Sequence, residues 1–131
     1  MKRYYRFLIL LSVISTVSCA QDYEVMTRKV TATAYNSFKY QTSNHPYLAA
    51  WGDSLKPDVK SIAVSRDLLE LGLTHNVEVE IEGLEGKYLV RDKMNKEWTN
   101  RIDIYMGTDL KAADDWGKRE VTITWRVKMN N

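Results

Sequence analysis

"YLVRDKMNKEWTNRIDIYMG", residues 88–107, sets two short apolar segments on either side of a polar, positively charged loop. Each segment carries an aspartate, Asp92 at the end of "LVRD" and Asp103 inside "RIDIYM". Aspartate is disfavoured in strands, so two of them beside strand-like segments need a reason. Two readings stand open. The carboxylates pair with the adjoining Arg91 and Arg101, as satisfied ion pairs do. Alternatively a closed sheet brings them together, and the charge of one raises the proton affinity of the other into a range useful for acid–base work.

Outward from this stretch the pattern is that of β-structure. Upstream, "VEVEIEG" (77–83) alternates strictly, with Val77, Val79 and Ile81 facing in and Glu78, Glu80 and Glu82 facing water. A turn at Gly83–Gly86 returns the chain into "KYLVRD". "EVMTRKVTATAY" (24–35) is rich in β-branched residues and alternates at Val30, Ala32 and Ala34. "SIAVS" (61–65) is a short strand, and "RDLLELG" (66–72) makes one or two helical turns ended by Gly72. Residues 36–60, with Ser, Asn, Pro and Gly throughout, are loop-like. Downstream, "TDLKAADDWG" (108–117) is a helix with Thr108 as its N-cap, and "EVTITWRVK" (120–128) puts Val121, Ile123, Trp125 and Val127 on one face. About six short strands and one or two short helices predict an all-β fold closed into a barrel. Trp116 and Trp125 belong to its core by their place on apolar faces.

The start of the chain has another character. "MKRYYRFLILLSVISTVSCAQ" has a basic head (Lys2, Arg3, Arg6), an apolar run and then small residues, the order of a secretory signal peptide. The expected division is therefore a signal over residues 1–20 and one domain over 21–131. Cys19, the lone cysteine, falls where such a signal is cut. It is either the lipid-modified first residue of a lipoprotein or discarded by cleavage after Ala20. The formal net charge of +2 depends on that segment. Without its three basic residues the remainder has 16 Lys and Arg against 17 Asp and Glu, which gives no argument for nucleic acid or a membrane surface as partner. A lipid on Cys19 is the one expected membrane link. Oligomeric state is not legible.

Metal, cofactor and nucleophile readings find no support in the pattern. His45 and His75 lie on loops without ligand spacing and without partner cysteines, so no metal and no cofactor is expected. No nucleophile elbow or glycine-rich phosphate loop is present, and the glutamates of "VEVEIEG" read as a solvated strand face.

From Thr31 to about Val127 the sequence resembles the three-aspartate (3D) domain family of bacterial cell-wall proteins. The family pattern runs as "ATAY", "TAxG", "IAVDPxxIPLGT", "DTGGxIKGNRID" and "A…WGRRxV". Here the corresponding stretches are "ATAY" at 32–35, "AAWG" at 49–52, "IAVSRDLLELGL" at 62–73, "DKMNKEWTNRID" at 92–103 and "AADDWGKREV" at 112–121. The interval from Asp92 to Asp103 matches without a gap. The family's first aspartate falls on Ser65, the threonine of "TAxG" on Ala49, the glycines of "DTGG" on Met94 and Asn95, and the proline of "IPLG" on Glu70. The resemblance implies a six-stranded double-psi β-barrel. Through related barrels in membrane-bound lytic transglycosylases, it also implies action on peptidoglycan glycan strands, with Asp92 in the place of the catalytic acid and Asp103 as its neighbour.

Candidate substrate-binding residues follow from residue chemistry. Tyr35, Trp51 and Trp98 offer aromatic faces that suit the C–H faces of pyranoses, although Trp51 serves equally as core or lid packing. Gln41 and Thr42 lie in the long loop, as groove-lining or turn residues. Arg101 either binds a substrate carboxylate or acetamido oxygen, or neutralises a nearby aspartate. Three functions remain at this point: a glycan-cleaving enzyme of the cell envelope, a wall-binding module without chemistry, and an envelope structural lipoprotein whose aspartates are only ion-paired.

Overall fold

Period-two alternation of β-branched and apolar residues builds six strands, and one helix of five and one of seven residues punctuate them. In the computed structural model, residues 20–37 and 49–130 are described. In chain order they form β1 (Tyr23–Tyr35), β2 (Ser61–Val64), α1 (Arg66–Glu70), β3 (Glu78–Ile81), β4 (Lys87–Lys93), β5 (Arg101–Tyr105), α2 (Leu110–Trp116) and β6 (Arg119–Lys128). The strands close in the order β1-β5-β2-β4-β3-β6. β1 runs parallel to β5 and β2 parallel to β4, while the remaining neighbours are antiparallel. The fold is the expected all-β, double-psi type of six-stranded barrel. Cys19, Gln41 and Thr42 lie outside the described residues.

The core is the inward half of each alternation. Val30, Ala32, Ile62, Val64, Val79, Val90, Ile102, Ile104 and Ile123 are almost wholly removed from water, and Leu68 and Leu73 of the α1 region close one side. Trp125 and Trp116 are both buried as expected, and the Trp125 indole N–H donates to the Leu71 carbonyl at 3.3 Å. Glu78, Glu80 and Glu82 are exposed, which fits the solvated-face reading. Gly72 ends α1 with φ +84°, and a Cβ there would stand 2.8 Å from a Val127 methyl, so both conformation and space require glycine. Helix α2 begins one residue later than expected. Asp109, not Thr108, is its N-cap, because the Asp109 carboxylate accepts the Ala112 N–H at 2.9 Å.

The start of β5 is held by Asn100, whose left-handed backbone (φ 50°) is one that asparagine tolerates better than most residues. Its carbonyl accepts the Thr31 N–H at 3.1 Å. Its amide side chain accepts from Arg28 Nε at 2.6 Å and donates to the Lys29 carbonyl at 3.1 Å. Its own N–H donates to the Asp67 carboxylate at 2.9 Å. Residue 100 thus ties β1, α1 and β5 together and sets the register that carries Asp103.

Candidate functional site

Where the core-facing residues point in, the residues between them point out, and on four adjacent strands they form one row. Thr33 of β1 pairs with Asp103 of β5, Asp103 with Ala63 of β2, and Ala63 with Asp92 of β4. The last pairing depends on a bulge. Ile62 lies opposite Val90, but Ala63 lies opposite Asp92, with Arg91 as the extra residue. A regular ladder would have put Arg91 in the row. The two aspartates are therefore separated by two strand spacings, roughly 9–10 Å between Cα atoms. Among the described residues, Ala63, itself buried, is the residue between them in the row.

Neither aspartate is ion-paired among the described residues. The Arg91 guanidinium turns instead to Asp53, at 2.7 Å. Arg101 donates to the Thr33 hydroxyl, at 3.2 and 3.4 Å, and that hydroxyl in turn donates to Asp103 Oδ1 at 3.0 Å. Asp92 Oδ1 accepts two backbone N–H groups, from Ala50 at 2.8 Å and Lys93 at 2.9 Å. The reading in which both aspartates are satisfied by the arginines beside them does not hold in this geometry.

Burial decides the electrostatics. Desolvation pushes the Asp92 carboxyl above the ordinary aspartate range, although the Ala50 and Lys93 amides and the Lys93 charge pull the other way. Asp103 is also pushed up, first by desolvation and last by the charge of Asp92, against the Thr33 hydroxyl and the Arg101 charge. The like charges of Asp92 and Asp103 thus act on one another. Groups coupled in this way titrate as a pair.

Tyr35 lies on the same face as Thr33, two residues along β1 and paired with Tyr105. Its ring packs on Tyr105 at 5.4 Å, within a small cluster that includes Ala49 and Leu55. Its hydroxyl is buried and has no hydrogen-bond partner among the described residues. Its proton is held far above the usual phenol range, by burial first and then by the charges of Asp92 and Asp103. Tyr35 therefore stands close enough to both carboxylates to feel them, with its hydroxyl buried. The Tyr105 hydroxyl is bonded to Ser37.

The remaining aromatic candidates are paired with cations. Trp98 is 44% exposed, and the Arg101 guanidinium lies over its ring at 3.9 Å, so these two candidates form one unit beside Asp103. Trp51 is half-buried against the core and stacks on His75 at 4.9 Å, with the Lys93 ammonium 5.4 Å from its ring centre. It combines the lid packing and the exposed edge between which its sequence position did not choose. Gln41 and Thr42 are outside the described residues.

Sequence reasoning missed Thr33, Ala63, Asp53 and His75. Thr33 and Ala63 had a detectable signal, since each is the outward residue between two inward ones in a strand. Asp53 and His75 had none, because they meet only through the fold. A cavity of about 370 Å³ lies next to Arg91, between it and Ser54, Lys56 and Ser61, and a second of about 520 Å³ lies over β3 and β6. Asp92 and Asp103 line neither. Among the described residues no group of three or more His, Cys, Asp or Glu is placed to hold a metal, and no helix is long and apolar enough to cross a membrane.

No family model matches the chain, and no curated protein matches it. Solved structures do. The Streptomyces papain inhibitor superposes with a TM-score of 0.53 at 19% identity, over 78% of this chain and 94% of that one. An expansin of Clavibacter michiganensis gives 0.47 at 16% identity in a variant complexed with cellohexaose, and 0.46 at 17% in its apo form. This chain covers about half of each expansin, 51% and 52%. At these identities the likeness to the papain inhibitor is one of fold, and the expansin scores carry no further argument.

Proposed function

We propose that this protein is an exported cell-envelope protein that cleaves peptidoglycan glycan strands in the manner of a lytic transglycosylase, with Asp92 as acid and base. One observation carries the reading. Two carboxylates without ion pairs stand in one row across Ala63, and burial has raised the proton affinity of both. Buried carboxylates whose proton affinity stays raised in spite of their hydrogen bonds are candidates for proton transfer. The resemblance of residues 31–127 to the 3D family supports the substrate.

In this scheme Asp92, protonated, donates to the glycosidic oxygen as the bond from MurNAc to GlcNAc breaks. The Asp92 carboxylate then takes the proton of the sugar's own 6-hydroxyl as that oxygen bonds to C1. A 1,6-anhydro ring forms, no water is consumed, and Asp92 ends protonated as it began. The Ala50 and Lys93 amides steady the ionised stage. Asp103, held by Thr33, orients the glycan, with Tyr35 on the same face of β1 as Thr33. Lys93 and Arg101, which have no carboxylate within ion-pair distance among the described residues, suit a glycan that carries carboxyl groups.

Ser65 stands where the family has its first aspartate, which takes a carboxylate out of the polar framework and favours binding without chemistry. It is fully buried before α1, and its hydroxyl accepts the Arg101 N–H at 2.9 Å, a bond that seats β5. A second reading, a wall-binding barrel without chemistry, is favoured by the exposed Trp98–Arg101 unit, which binds without needing a proton. Sedimentation with purified sacculi separates the two. Wild type and Asp92→Asn should both co-sediment, and only wild type should release soluble glycan. Equal co-sedimentation with no release by either leaves the binding reading, and release undiminished by Asp92→Asn removes Asp92 from its role.

A further inference from the structure

The two amides on Asp92 differ in origin. Lys93 follows Asp92 in the same strand, so its N–H stays close wherever β4 goes. Ala50 belongs to the turn at residues 49–53, far away in sequence, and reaches Asp92 only while that turn is held down. The turn closes on itself through Ala49 N–H to the Asp53 carbonyl at 2.9 Å and Gly52 N–H to the Ala49 carbonyl at 3.0 Å. Beside the packing of Ala49 on Tyr105 and of Trp51 on the core, the polar tie to the barrel is the Asp53 carboxylate. One oxygen accepts from Arg91, the bulge residue of β4, and the other meets His75 Nε2. The ring of His75 then stacks under Trp51 of the same turn. The cluster is partly open to water, with His75 and Asp53 side chains 32% and 22% exposed.

We infer that Asp53 and His75 are positioning residues for Asp92: they clamp the 49–53 turn onto β4 and so deliver the Ala50 N–H to the carboxylate. Neither touches the reacting atoms. Their part in cleavage rests on the reading of Asp92 as the acid, but the clamp itself is a property of the fold. The β4 bulge has two consequences under this inference: it puts Asp92 into the row and it turns Arg91 aside to receive Asp53. The charged and titratable groups that face Asp92 are Lys93, Asp103 and Tyr35, and those that face the clamp are Arg91 and, over Trp51, Lys93.

Amide proton shifts followed by NMR against pH test this without any substrate. In wild type the Ala50 and Lys93 amides should both shift with the titration of Asp92, since both donate to its Oδ1. In Asp53→Ala the Lys93 amide should still follow Asp92, while the Ala50 response should fall to a small fraction. Asp53→Asn, whose amide oxygen still accepts from Arg91 and whose NH2 can donate to a neutral His75 Nε2, should restore part of it. His75→Phe keeps the ring under Trp51 and the Asp53–Arg91 pair, and should reduce the Ala50 response in part. It also serves should Asp53→Ala fold poorly. Peptidoglycan cleavage by Asp53→Ala should drop by about tenfold, the order lost when a supporting group is misplaced. An Ala50 amide that follows Asp92 undiminished in folded Asp53→Ala, or in His75→Phe should Asp53→Ala not fold, overturns the clamp. An intact Ala50 response in a wild type that cleaves nothing leaves the clamp standing and removes the enzyme.

Discussion

Asp92 and Asp103 keep their protons more tightly in the folded chain than in the unfolded one, because burial disfavours their charged forms. Their contribution to stability is therefore full below the ordinary aspartate pKa, about 3.9, and is lost as pH rises through the higher folded values. Replacing Asp103 by Asn keeps an acceptor for Thr33 and removes the charge. Thermal melts should show Asp103→Asn a few degrees more stable than wild type at pH 7, with the gain vanishing as pH approaches the unfolded pKa. A variant less stable at pH 7 would contradict the electrostatic assignment. Ala63 gives a second handle. Its methyl is the gap between the carboxylates, and Ala63→Val suits a strand but fills that gap. Activity on peptidoglycan should fall at least tenfold, the usual consequence of displacing a substrate by an ångström or less, while far-ultraviolet circular dichroism stays unchanged. The two aspartates stand out in the sequence because aspartate is out of place in strands. Their freedom from Arg91 and Arg101 was not legible there, since adjacency along a chain says little about which way a bulged strand turns its side chains.

At the scale of elements, the register between β1 and β5 is the decisive feature, and Asn100 holds it with hydrogen bonds to β1 and α1. Asn100→Ala loses both side-chain bonds and forces alanine into a left-handed backbone. The expected cost is about 2–3 kcal/mol in urea denaturation, from roughly 1 kcal/mol per bond and a further 1 for the backbone. A loss under about 0.5 kcal/mol, the range of ordinary surface changes, would mean that the register is set elsewhere. Strands such as β3 and β6 were readable from alternation, since each buries one face and exposes the other, whereas β2 is buried throughout and reads as a short apolar run. Two details were not readable. The N-cap of α2 moved from Thr108 to Asp109 because either side chain can reach a free N–H, and only the chain's approach selects one. The bulge between Ile62 and Ala63 depends on the β2–β4 pairing, which is a contact between distant segments and leaves no mark on either alone.

For the whole molecule, closure is what makes the row. Six strands of mixed direction bring β1, β5, β2 and β4 side by side, in an order unrelated to their order along the chain. The core beneath the row is continuous, so a change there should act globally. Ile62, fully buried on β2, should cost roughly 2–5 kcal/mol when cut to alanine, and the same midpoint should be seen by tryptophan fluorescence and circular dichroism. Separate midpoints would show that the barrel is not one cooperative unit. The order of strands was not legible in the sequence, because periodicity counts strands but does not order them. The central claim is that the aspartate pair on this barrel cuts glycan strands. Mass spectrometry of the soluble products from purified peptidoglycan, with wild type beside Asp92→Asn, tests it most directly. Muropeptides ending in 1,6-anhydro-MurNAc with wild type, absent with the variant, are the expected result. No soluble product from wild type, or the same anhydro products from both proteins, would contradict it.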